Sequence, residues 1–190
     1  WNKDSKKVIL KITMPKIMRG DFSGAAKVFI NGFTDEEQVR LSFSGASKVD
    51  IAEINADKLI LDFSGASKAN LAGHVGKLEI ETSGASHLIL DELYARDVDV
   101  NSSGASHIQV DAQKTLQVDA SGASTVELDG NVEDLSADVS GASNAKLQDL
   151  KAKGGTVQTS GASTAKVNVS QLLKLDASGA STIHYYGAPS

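Results

Sequence analysis

The chain has 190 residues, 19 Lys and Arg against 24 Asp and Glu, a formal charge of −5, no cysteine, two prolines, five Phe, three Tyr and one Trp. The lack of cysteine excludes a disulfide framework, a thiolate metal site and a cysteine nucleophile. The mild acidity leaves no electrostatic footprint for nucleic acid or an anionic membrane, and no apolar run approaches the roughly 18 residues of a membrane span.

Residues Val8-Ile9-Leu10-Lys11-Ile12-Thr13-Met14-Pro15 read as a strand ending at proline. Residues 1–17 are therefore assigned to an N-terminal strand or incomplete first coil. The remainder, 18–190, is a run of repeats, and the whole chain is assigned to one domain. No signal-peptide pattern opens the chain.

The repeat is marked by the triplet Ser-Gly-Ala, which occurs nine times at intervals of 18 to 21 residues. Its serines are Ser23, Ser44, Ser64, Ser83, Ser103, Ser121, Ser140, Ser160 and Ser178. Its glycines are Gly24, Gly45, Gly65, Gly84, Gly104, Gly122, Gly141, Gly161 and Gly179. A second serine follows the alanine in every copy but the first, where Ala26 stands. Counting from the first serine as zero, apolar residues recur at −5 and −3 (Leu59 and Leu61, Leu78 and Ile80) with polar ones at −2. Beyond the motif they recur at +5 and +7 (Val49 and Ile51, Ile108 and Val110) and more loosely at +9 to +11. This is the period-two alternation of half-buried strands, two clear ones and a weaker third per repeat.

A unit of about 19 residues cannot bury a core alone; stacked on its neighbours it buries one continuous interior. The prediction is an all-β, single-stranded, right-handed parallel β-helix (β-solenoid) of about nine to ten coils. Right-handedness follows from the near-universal hand of parallel crossovers and from gaps mostly longer than a strict 18-residue coil. The Ser-Gly-Ala-Ser motif is assigned as the structural corner. Glycine permits backbone angles closed to other residues, alanine fills a cramped inward position, and serines bond the turn or each other along the rod. Few aromatics are expected in so thin a core. Nine equivalent copies with no His–Asp partners argue against serine nucleophiles, so no catalytic residue is assigned.

Two outward columns are candidate binding surfaces. At −2 stand Asp62, Glu81, Asp119, Asp138 and Asp176, interrupted by Ser42, Asn101 and Gln158. Stacked carboxylates suit cations or sugar hydroxyls; a solvated polar face is the plainer alternative. At +4 stand Lys27, Lys48, Lys68, His87 and His107, then Thr125, Asn144, Thr164 and Thr182. The two histidines fall on successive coils and give that face pH sensitivity near neutral. A zinc pair would need a third ligand, and Ile89 and Gln109 beside them are poor ones. No metal or cofactor is assigned. The three threonines in the column are too few for an ice-binding face. Solenoid ends are open strand edges; Trp1 and the Tyr185–Tyr186 pair are candidates to cover them or to mediate self-association.

Three features together resemble the bacterial auto-transporter adhesin head domain family, also called the head GIN domain. They are Ile12-Thr13-Met14-Pro15-Lys16, the repeated Leu-x-Leu-Asp-x-Ser-Gly-Ala-Ser-Lys-x-x-Leu at 59–71, and the closing Tyr185-Tyr186-Gly187-Ala188-Pro189. The resemblance covers about residues 8–189. It implies a parallel β-helix, secreted or on the outer surface of a bacterial envelope, without enzymatic activity or catalytic residues to carry over. It also implies a precursor with a signal or lipid-anchor segment ahead of Trp1. The reading is a non-enzymatic module whose partners are a glycan or a surface protein, with no nucleic acid, no transmembrane segment, and self-association through solenoid ends or faces. The alternatives are a polysaccharide lyase or hydrolase on a β-helix, which would need a cleft with converging acids, and a purely structural assembly element.

Overall fold

The structure, a computed structural model, describes residues 16–187. These residues form ten strands and no helix: β1 Arg19–Phe22, β2 Lys27–Gly45, β3 Lys48–Gly65, β4 Lys68–Gly84, β5 His87–Ser102, β6 His107–Ala120, β7 Thr125–Val139, β8 Asn144–Thr159, β9 Thr164–Ala177 and β10 Thr182–Tyr186. All pair in parallel, each with its neighbour in the chain, in one sheet. β2 to β9 each run most of the way round a coil, so there are eight near-complete coils and a partial one at each end. This is a β-solenoid, close to the nine to ten coils predicted. The predicted strand at 8–15 lies outside the described residues.

The register explains the repeat. Ser44 stands over Ser64 and Ser64 over Ser83, with Gly45, Gly65 and Gly84 beside them. On the far side of the corner Lys48, Lys68, His87, His107 and Thr125 stack in turn. Identical positions therefore lie one strand spacing apart, about 4.8 Å. The ladder shifts at one region of each coil, between Ile51 and Ile54, Asn70 and Ala72, or Ala112 and Thr115. Coil lengths differ, and with register held on both sides of the motif the surplus residues must be absorbed in this stretch. That is why the third side reads only weakly as a strand.

The interior is a set of apolar columns. Val39, Leu41 and Phe43 of β2 lie under Leu59, Leu61 and Phe63 of β3, each at most 1% exposed. Across from them Val49, Ile51, Leu88, Leu90, Ile108 and Val110 fill the +5 and +7 columns. Each such side chain contributes about 1.5–3 kcal/mol through burial. The core does admit aromatics. Phe22, Phe43 and Phe63 stack at −1, with ring centroids 5.1 and 4.9 Å apart, before the column narrows to Thr82, Ser102 and Ala120. Each ring packs on the ring of an adjoining coil, and the stack ends where Thr82 follows Phe63.

The corner differs from expectation in one respect. The alanine faces solvent in every coil, and the second serine takes the inward place: Ser47, Ser67, Ser86, Ser106, Ser124, Ser143 and Ser163 are at most 3% exposed. The reason is the backbone. All nine corner glycines have φ between +70° and +104°, which interrupts the strict in–out alternation. The alanine N–H donates to the glycine carbonyl of the coil before (Ala105 N to Gly84 O, 2.7 Å). Its methyl is left outside.

The buried serines are not equivalent. Ser163 Oγ lies 2.8 Å from Val139 O and 2.9 Å from Ser160 O, and Ser124 donates to Ser121 O at 2.8 Å. Ser67, Ser86 and Ser106 have buried hydroxyls with no partner. Satisfied hydroxyls stabilise, whereas a buried unpaired one carries its full desolvation cost. Ser163→Ala is therefore expected to lose about 1 kcal/mol, and Ser106→Ala to be neutral or gain up to about 1 kcal/mol. Urea unfolding of the two variants checks the opposite signs.

Candidate functional site

The carboxylates at −2 and the first serines of the motif border one groove along the rod. Asp62, Glu81, Asn101, Asp119 and Asp138 form one wall, and Ser64, Ser83, Ser103, Ser121 and Ser140 the other, around an open volume of about 550 Å³. Asp176, on the last near-complete coil, does not line it. Ser103 donates to Thr82 O at 3.2 Å and Ser121 to Ser102 O at 3.4 Å. These serine hydroxyls tie one coil to the one before, which leaves their lone pairs, not their protons, facing outward.

The columns at −4 and −6, unread in the sequence, supply much of the charge compensation, with Arg19 and Arg40 at −4 and Lys58 and Lys77 at −6. Arg40 Nε lies 2.9 Å from Asp62 Oδ2, which also accepts from Ser42 at 3.0 Å. Arg19 hydrogen-bonds Asp21 at 2.8 Å and holds its carboxyl below the usual range. Lys77 and Lys58 grip Glu79 at 2.7 and 2.9 Å, and those hydrogen bonds hold it low. Asp99 is pushed up, chiefly by burial; Glu79 and Asp119 add to this and Lys77 opposes it. The signal for both columns was available, because −4 and −6 lie on the same face as −2.

Lys27, Lys48, Lys68, His87 and His107 form the flank on the other side of the corner. Lys48 Nζ sits 3.7 Å from Asp50. The rings of His87 and His107 are stacked, 4.9 Å between centroids and 15° between planes. Among the described residues no group of three or more His, Asp and Glu is placed to hold a metal ion. Burial, then the neighbouring His107 and Lys68, lower the His87 pKa from its ordinary 6.5.

A base with a depressed folded pKa stabilises the fold as the neutral species. That stability is complete above the unfolded value of about 6.5 and is lost as pH falls from there toward the folded value. The His87 contribution to melting temperature is therefore expected to fall between pH 7.5 and 5.5, so that over this range the parent loses more, or gains less, than His87→Thr. Thermal melts across that range check the slope.

Two further outward columns went unread in the sequence. Asp91, Asp111, Asp129 and Asp149 crowd along the second bend; Asp129 is pushed up by burial and then by the neighbouring carboxylates, Asp149 foremost. The column at +6 reads Phe29, Asp50, Asn70 and Ile89. Both become visible once the register is known.

Comparison with known proteins gave one family. A search of curated proteins found no match, nor did a search of solved structures. The family described as putative auto-transporter adhesin, head GIN domain, matches residues 1–128 and again residues 113–189. Two overlapping matches of one family description suit a chain built from a single repeated coil, and together they span nearly its whole length. The chain belongs to this family.

Proposed function

We propose that the chain is a non-enzymatic, adhesin-like module, acting as one domain, displayed on the bacterial surface or secreted. It binds a glycan or a surface protein. The observation that supports this reading most is the register: each outward position recurs coil after coil along eight near-complete turns. Such a rod, on the order of 40 Å long, presents pre-ordered columns at about 4.8 Å spacing. Pre-ordering lowers the entropy cost of binding, and repetition makes weak contacts additive in avidity. Self-association through solenoid ends or faces would multiply the same effect.

A binding screen of the intact chain against glycans and purified envelope and host-surface proteins tests this. The expected result is saturable binding to a glycan or protein partner that heat-unfolded chain lacks. Turnover of a polysaccharide panel, abolished by one acidic substitution in the groove, would overturn it in favour of an enzyme.

A further inference from the structure

The +6 column holds a second recess, apart from the acidic groove. Phe29, Asp50, Asn70 and Ile89 stand in register on β2, β3, β4 and β5. Phe29 is 70% exposed and Ile89 37%. They are apolar posts at the two ends of the column, about 14 Å apart by strand spacing. Between them Asn70 Nδ2 donates to Asp50 Oδ1 at 2.8 Å. That bond orients the pair and leaves the Asn70 carbonyl and its second N–H available. Beside them Ala52 and Ala72 keep the adjoining wall low, and Asp91 and Glu92 close it. The recess is open, with a volume of about 400 Å³, within the range of small-ligand sites.

We infer that this recess is a saccharide subsite taking uncharged pyranose units, an inference that rests on the adhesin-like reading. The chemistry selects the class. A pyranose has an apolar C–H face, which suits the electron-rich face of an exposed ring, and a rim of hydroxyls that both donate and accept. Phe29 supplies the first complement and the Asp50–Asn70 pair the second. An extended peptide is disfavoured. Asp50, Asn70 and Ile89 lie on β3, β4 and β5, which are paired on both sides, so the floor of the recess offers no free backbone edge for strand addition. The charged groups lining the recess, Asp50, Asp91 and Glu92, are all carboxylates. Lys48, just outside, is drawn to Asp50 at 3.7 Å. Uronate and sialate units would meet unfavourable charge inside the recess.

The test is an array of oligosaccharides ending in neutral hexoses, N-acetylhexosamines, uronates or sialates, probed with the full chain. Titrations of the best neutral oligosaccharide follow. Phe29→Ala is expected to weaken binding about tenfold and Asn70→Ala several-fold. Lys151→Ala, an exposed position on β8 remote from the recess, should bind as the parent does, and acidic oligosaccharides should bind at least tenfold more weakly than neutral ones. All three variants alter surface positions, and matched melting curves establish that each is folded. Undiminished binding by both Phe29→Ala and Asn70→Ala, a preference for acidic ends, or no neutral oligosaccharide bound at millimolar concentration would each overturn the subsite. In parallel, beads coated with the chain are tested for attachment to cell surfaces. Attachment that Phe29→Ala leaves intact sinks the subsite while sparing the adhesin-like reading; beads that attach to nothing, with no glycan bound, sink both.

Discussion

Gly104→Val is expected to lower stability by more than about 4 kcal/mol, enough to leave much of the chain unfolded at physiological temperature. Two effects add. Gly104 has φ +93°, a conformation that a β-branched residue adopts only at a cost of about 1–3 kcal/mol. A Cβ there would also stand 2.5 Å from Gly84 O and 2.7 Å from Gly84 N. These are backbone atoms, locked by the bond from Ala105 N to Gly84 O, so relief requires the two coils to part. Gly24 gives the internal comparison. Its φ is +80°, yet a Cβ there meets nothing within 4 Å among the described residues, which place no other corner against that side. Gly24→Ala should cost only the left-handed penalty, about 1–2 kcal/mol. Urea titrations of both variants separate strain from stacking, and a Gly104→Val chain that melts with the parent would refute the argument.

The second large effect is expected at Phe43. Its ring is 1% exposed and lies between those of Phe22 and Phe63. Phe43→Ala removes a buried ring worth about 3–5 kcal/mol, with stacking included in part of that loss. The neighbouring rings cannot close the gap, since each is held in its own coil one strand spacing away. Stability in a stacked array is close to a sum over coils and their interfaces. The loss should therefore appear locally: amide protection falls in β1 to β3 while β6 to β9 keep theirs, and the urea transition broadens or splits. Uniform loss of protection along the rod would contradict this, as would an unchanged midpoint.

Much of the fold was legible in the sequence because a parallel stack is a direct physical reading of a repeat. The −5, −3, +5 and +7 positions named the inward columns, and the motif named the corner. Three things were not legible, each for a reason. The direction of the alanine and the second serine was lost because period-two alternation does not survive a residue at positive φ. The third side was blurred because coils of unequal length place their surplus there. The phenylalanine stack was hidden because its column reads Phe, Phe, Phe, Thr, Ser, Ala, so no single coil marks it as inward. The candidate sites were legible only in part. The carboxylates at −2 were found, but the arginines at −4 that neutralise Asp21 and Asp62, and the lysines at −6 that grip Glu79, were not. The recess around Phe29 depends on four residues about 20 apart in sequence, which have meaning together only in register.

The direction of the hydrogen bonds has a mechanical consequence. Strands circle the rod, so the bonds joining coil to coil lie along its axis. Tension applied between the two ends acts on these interfaces in series, and the end coils, which have a neighbour on one side only, give way first. Such a rod yields by peeling from an end, a coil at a time. Each coil of about 19 residues releases roughly 60–70 Å of chain when it lets go. A surface-tethered rod of this kind lengthens in steps under load, and the coils still stacked keep their columns, and whatever is bound to them, intact.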